Sequence, residues 1–232
     1  MNRLSVEGLL YWFPAFVFST TIHEAAHAWT ALSGGDPTAY RGGQASLSPW
    51  PHIRREPIGM LVLPLVTAIA NGWAIGWASA PFDSEWARLH PRRAAVMAAA
   101  GPLSNFALAA LALIAIKLGM ASGVFQAAPG AHSWSALVIP APGYAGAELP
   151  SFAARALSVL ISLNVLLAIF NLIPLPPLDG SAAVGILLPA RFAGVMRGLG
   201  PAGSMLGLLA AWKVFPALVG PIHEWLMRLL GG

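Results

Sequence analysis

Residues 18–32, FSTTIHEAAHAWTAL, place two histidines four positions apart with a glutamate directly after the first. Neither Pro nor Gly interrupts the chain between Pro14 and Gly34, so the stretch reads as one helix. Four residues make about one helical turn, which puts His23 and His27 on one face with Cβ atoms about 6 Å apart, near enough for a single divalent ion to bind both imidazoles. A bound metal of the zinc type lowers the pKa of its water from about 15.7 to about 7 and polarises a carbonyl. Glu24, beside the first histidine, is then placed as the general base to a metal-bound water. The chemistry these three residues offer is metal-assisted hydrolysis, and H-E-x-x-H on a helix is the pattern in which it recurs among zinc metalloproteases. A chance pentapeptide or a pair of hydrogen-bonded core histidines is the competing reading. It weakens in an apolar helix, where ionisable groups are costly.

A catalytic zinc takes three protein ligands and keeps a fourth position open. The chain has no cysteine, so the third ligand must be His, Asp or Glu. Seven of the nine acidic residues, namely Glu7, Asp36, Glu56, Asp83, Glu85, Glu148 and Glu224, lie at segment ends or in loops. Asp179 is different. It follows an apolar run in NLIPLPPLDGS (171–181), where three prolines break the helix. A carboxylate on irregular backbone at membrane depth is tolerated where it lines a cavity or binds a metal. A proline-rich helix exit capped by Asp-Gly is the alternative, and the presence of the histidine pair favours the ligand.

The elements that must position these groups are membrane helices. Only 9% of the residues are charged, against about 25% in soluble domains. Apolar runs of about spanning length lie at 8–32, 94–119, 154–175 and 201–220. The N-terminal run superficially resembles a signal peptide but continues into the histidine cluster, so it reads as a retained helix. A fifth run, 58–79, is interrupted by Pro64, Asn71, Gly72 and Gly76. For Asp179 to meet the histidines, the first and the 154–175 helices must run parallel, which requires 58–79 to re-enter on its own side. That arrangement gathers Arg41, Arg54, Arg55, Arg88, Arg92 and Arg93 on one face, joined by Arg191 and Arg197, and leaves Arg3, Arg155 and Arg228 on the other. The positive-inside rule then puts the metal site toward the cytoplasm and the N-terminus outside. Scattered arginines without a basic stripe or stacking aromatics argue against a nucleic-acid partner.

The expected fold is an all-α polytopic membrane protein of about four to six transmembrane helices, with a re-entrant hairpin and a short β-ribbon. GGQASLSPW (42–50) has the alternating look of that ribbon, suited to pair with an unwound substrate strand. Residues 121–150, rich in Ala, Gly and Pro, read as a loop. The chain is expected to be a single membrane domain, with a catalytic core over about 8–185, then an amphipathic stretch and a C-terminal transmembrane helix in 186–232.

HEAAHAW together with NLIPLPPLDG resembles the site-2 protease family of intramembrane zinc metalloproteases, in a short form without PDZ or CBS domains. The similarity extends through GDPTAYRGGQASLSPWPHIRREPIG and AAAGPLSN, so it covers about residues 15–185. The resemblance implies one zinc held by His23, His27 and Asp179, with Glu24 as the catalytic base. It implies transmembrane proteins as substrates, cut within the bilayer of the cell membrane. It also suggests substrate-cleft roles for Asn171 and Asn105, which as amides in helices equally suit bonds to a neighbouring helix. Ser79 in GWASAP stands where short relatives carry lysine.

Two further readings of polar residues stay open. Ser19, Thr20 and Thr21 either line a polar path to the metal or bond back to helix carbonyls. His52, His90, His132 and His223 have surface or interface roles, with His52 the reserve ligand. A membrane metal transporter is the alternative function, and a non-cleaving relative that binds membrane helices is a third; intact Glu24 speaks against the latter. The substrate, the oligomeric state and any regulatory partner are not encoded in these patterns.

Overall fold

The computed structural model describes residues 6–130, 133–184 and 200–231. Helix α1 (Phe13–Ser33) is entered through a π turn at Gly8–Trp12, with Pro14 in its first turn, where no N–H is needed. There follow α2 (Thr38–Arg41), α3 (Pro49–Arg55), α4 (Leu63–Asn71, preceded by a π turn at Ile58–Val62), α5 (Ser84–Leu89) and α6 (Pro91–Ala121). A two-stranded ribbon, β1 (Phe125–Ala127) and β2 (Val138–Pro140), leads into α7 (Glu148–Asn171), α8 (Asp179–Ala183) and α9 (Gly200–Leu230).

Three of these helices, Pro91–Ala121, Glu148–Asn171 and Ala202–Leu230, are long and apolar enough to cross a bilayer. The 21 residues of α1 also reach across about 30 Å of hydrocarbon at about 1.5 Å each. Helix α1 buries a polar and ionisable face: Ser19, Thr20, Thr21, His23, Glu24 and His27. The architecture is that of a polytopic all-α membrane protein.

Side-chain pairings fix the helix directions. His27 meets Met97 and His23 meets Asn105, so α1 and α6 are antiparallel. Glu7 lies 3.4 Å from Arg155 and Ser19 2.8 Å from Asn164, so α1 and α7 run parallel. Small residues on α6, among them Ala98, Gly101, Ala109 and Ala112, are buried and allow close helix approach.

Segment 58–79 forms the expected hairpin. Gly72, in a left-handed conformation that suits glycine, caps α4 and reverses the chain. Residues 74–83, without regular secondary structure, return beside the helix. The Ile75 amide donates to the Thr67 hydroxyl (2.9 Å), the Trp77 amide to the Gly59 carbonyl (3.1 Å), and the Ser79 hydroxyl to Glu56 (2.6 Å). The Gly34 carbonyl at the end of α1 then accepts from both Trp86 Nε1 and Arg93 Nη1, each at 3.0 Å. Everything between α1 and α6 therefore starts and finishes at one end of the bundle. The exposed Arg41, Arg54, Arg55, Arg88, Arg92 and Arg93 collect there, while Arg155, Arg228 and Lys117 belong to the opposite end.

The ribbon is not where the alternation of 42–50 placed it. Residues 42–48 are turns and bends, and 49–55 are helical, because Pro49 and Pro51 preset helical φ while the Ser48 hydroxyl accepts from the Trp50 amide. The strands lie instead in the Ala/Gly/Pro segment read as a loop, packed through Phe125 and Val138 onto α6, α7 and α9. Arg3, His132, Arg191 and Arg197, with residues 185–199 of the amphipathic stretch, lie outside the described residues.

Asp36 ties the α1 end to α5. It is 2% exposed and accepts from the Thr38 amide (2.9 Å), the Thr38 hydroxyl and the Asp83 amide (2.8 Å). Burial opposes its ionisation, but the Thr38 hydroxyl, the Asp83 and Thr38 amides and the Arg41 charge together hold its carboxyl below the usual carboxylate range. Asp36→Ala should destabilise this end by about 1–3 kcal/mol, read as a lowered unfolding temperature in detergent. Because the folded pKa is depressed, the wild-type advantage over the variant should be full above the ordinary carboxylate pKa of about 4 and fade as pH falls below it.

Candidate metal centre

One helical turn on α1 brings the imidazoles of His23 and His27 edge to face, with ring centroids 4.7 Å apart. Their Nε2 atoms are 3.0 Å from each other. Asp179 Oδ2 lies 3.1 Å from the first and 3.3 Å from the second. On the far side of each ring, His27 Nδ1 is 2.7 Å from the Met97 carbonyl and His23 Nδ1 is 2.6 Å from Asn105 Oδ1. A carbonyl only accepts, so His27 Nδ1 carries a ring proton, and in the neutral ring Nε2 keeps its lone pair.

Electron-pair donors from three residues therefore face one point, inside a bundle that solvent reaches on the Asp179 side. Such a group repels itself unless a proton or cation lies between, and the carboxylate selects positive charge. Two imidazoles and one carboxylate are a zinc donor set. Glu24 completes the cluster: its carboxylate and the two histidine ligand atoms lie within 4.8 Å of one another, it is 4% exposed, and its Oε2 has no hydrogen-bond partner among the described residues. Gly101 on α6 faces the pair, and a Cβ there would press on the Nε2 atoms of both rings. The residues present fit a metal ion, and α6 leaves space for one.

Asp179 reaches the site from the broken end of α7. The chain past Asn171 turns through Leu172–Leu178 and starts α8 at Asp179. Gly180 packs against the Leu172 and Ile173 carbonyls with no room for a Cβ. Ile173 and Leu178 are buried with Ala211 of α9, and Gly207 of α9 lies on the Pro176 carbonyl, so α9 braces this turn. The Asp179 side chain is 23% exposed, which leaves the site open on its side.

The sequence model of peptidase family M50 matches residues 57–197, more than half of the chain. The chain belongs to peptidase family M50. The match bears out the resemblance to the site-2 proteases, as do two relatives with zinc-metalloprotease names. The candidate zinc metalloprotease YwhC of Bacillus subtilis is 34% identical over 174 residues, 75% of this chain and 67% of the relative. The candidate zinc metalloprotease Rip2 of Mycolicibacterium smegmatis is 26% identical over 216 residues, 93% of this chain and 69% of the relative. No solved structure matches the chain.

Within this M50 member, the family match takes in Asp179 but begins after the histidine pair, and it is the fold that joins the two. The remaining candidates separate. Asn105 is fully buried, with its oxygen on His23 and its NH2 on Asn164. Asn171 donates to the Leu167 carbonyl of its own helix (3.0 Å). Thr21 also bonds back, to Val17 (2.7 Å), whereas Ser19 accepts from Asn164 and the buried Thr20 hydroxyl has no partner among the described residues. His52 is not on the surface: it is 1% exposed and bonds the Ser46 carbonyl at 3.0 Å, apart from the cluster. Ser79 bridges Glu56 and Arg55 at the foot of the hairpin.

Sequence reasoning passed over Gly101, the Met97 carbonyl and Asn164. The first sits in the quoted AAAGPLSN and the last is a lone amide in the apolar run VLISLNVLLAI, a signal of function or interhelical bonding. A carbonyl carries no side-chain signal at all. Gly101→Ala should fold yet lose most of its bound metal, measured as zinc per chain in purified protein against wild type.

Proposed function

We propose that this M50 chain is an intramembrane zinc metalloendopeptidase, hydrolysing peptide bonds in the membrane-spanning segments of other proteins. His23, His27 and Asp179 hold one zinc ion and Glu24 is the general base. The observation that carries the reading is the convergence of two imidazole nitrogens and a carboxylate oxygen, with a second carboxylate beside them, among helices apolar enough to span a bilayer. The zinc-metalloprotease names of the two relatives support the choice of metal.

Zinc bound here would polarise the scissile carbonyl and make water a nucleophile at neutral pH. The protein's own part is positioning and proton handling. Glu24, buried with a carboxylate oxygen that has no hydrogen-bond partner among the described residues, takes the proton of the attacking water and returns it to the leaving amine. Helix α1 places that base one residue from a ligand, so water held near the ligands lies within its reach. A peptide bond in a helix is shielded by lipid and by its own hydrogen bonds, so the substrate must unwind and enter on the open Asp179 side. Asn171, on the last turn of α7 just before that opening, can turn its amide from Leu167 to an unwound strand.

The catalytic unit covers about residues 8–185, with the C-terminal helix bracing the Asp179 turn. Six exposed arginines at the site's end of the bundle favour a cytoplasmic-side orientation in the cell membrane. A metal transporter would need ionisable groups strung across the bundle. Among the described residues, one potential metal-binding cluster is present.

Glu24→Gln should retain zinc near the wild-type level while cleavage of a co-reconstituted single-pass protein falls by about 100-fold or more. His23→Ala should lose both. Cleavage by the Gln variant at wild-type rate would overturn the base assignment, and wild-type zinc that supports no cleavage of any membrane substrate would overturn the protease.

A further inference from the structure

For His23 to bind a metal through Nε2, its ring proton must sit on Nδ1. Its neighbour Asn105 does not by itself guarantee this, since an amide can turn either its oxygen or its NH2 toward the ring, and the surrounding hydrogen bonds decide which. Here they decide it from a distance. Asn164 on α7 lies 2.8 Å from the Leu160 carbonyl of its own helix, and that carbonyl can only accept. The NH2 of Asn164 must therefore face Leu160, and it also reaches Ser19 Oγ at 2.8 Å. Its oxygen is left facing Asn105 at 2.7 Å, so Asn105 must present its NH2 there. The Asn105 oxygen then turns to His23, 2.6 Å away, and can only accept. Nδ1 carries a proton, and in the neutral ring Nε2 keeps its lone pair.

We propose that Asn164 and Asn105 form a directional relay from α7 through α6 to α1, and that Asn164 is a positioning residue that sets the tautomer of His23. This rests on the metal-site reading above. Ser19, Asn105 and Asn164 are each 0% exposed, so solvent offers no competing partner that would let the amides flip. The two histidines are thus fixed by different means: His27 by a backbone carbonyl directly, His23 by a backbone carbonyl acting through two side chains. Ordinary interhelical bonding would account for contact between the helices but needs no defined polarity, and it need not end on a ring nitrogen.

The test uses full-length protein in lipid. With 15N-labelled histidine in metal-free protein, the His23 signal, assigned by its loss in His23→Gln, should report protonation at Nδ1. Asn164→Leu should give a mixture of tautomers and weaken zinc binding by about 10- to 100-fold in chelator competition. A merely structural bond would lower the stability of Asn164→Leu without changing which His23 nitrogen is protonated. Wild-type protein with His23 Nδ1 unprotonated, or Asn164→Leu with unchanged zinc affinity, overturns the relay. Should Asn164→Leu fail to fold, the wild-type tautomer still decides. These readouts need no turnover, so absent cleavage would sink the protease without touching the relay, and the reverse holds equally.

Discussion

Two imidazole nitrogens 3.0 Å apart with one carboxylate oxygen against both make an arrangement that repels itself until positive charge enters it. Placing it among apolar helices raises the stakes, because low dielectric strengthens the repulsion and a buried charge without a partner is costly. Much of the remaining structure serves to hold these groups where they would not settle alone. The rings are clamped from behind, by the Met97 carbonyl and by Asn105, so that neither can rotate its lone pair away.

The topology follows from the same requirement. Histidines near the end of α1 and an aspartate past the end of α7 meet only if those helices run parallel, with α6 antiparallel between them. Parallel helices need an even return, and the hairpin supplies it without crossing: α4 goes in, Gly72 reverses the chain, and residues 74–83 come back beside it to the level of Glu56. The Gly34 carbonyl, shared by Trp86 and Arg93, closes the loop so formed. Helix α9 contributes least to the core but leans on the Pro176 turn that carries Asp179. The geometry of this cluster and the helix topology are thus one problem with one solution.

What the sequence disclosed, it disclosed through periodicity and cost. His23 and His27 were legible because four residues are a helical turn, and conspicuous because ionisable groups in apolar runs demand a reason. Pro64, Gly72 and Gly76 marked the hairpin because they interrupt a helix, and Pro174, Pro176 and Pro177 marked the Asp179 turn likewise. The ribbon was misplaced because alternation at 42–50 lost to local chemistry: two prolines and a serine cap start a helix at Pro49. Asn171 bonds the Leu167 carbonyl of its own helix, while Asn164, seven residues earlier, holds the interhelical network. Nothing local distinguishes two amides about two turns apart on one apolar helix; only the partner helices do. The Met97 carbonyl could not be read at all, since every residue has one.

The central claim is that residues 23, 27 and 179 close on a single zinc ion. X-ray absorption at the zinc edge of the purified wild-type protein tests it most directly. The account predicts a nitrogen and oxygen shell at about 2.0–2.1 Å with the outer-shell scattering of two imidazoles, no sulfur, and one metal per chain. A shell with no imidazole or only one, or zinc well below one per chain in active protein, would contradict it.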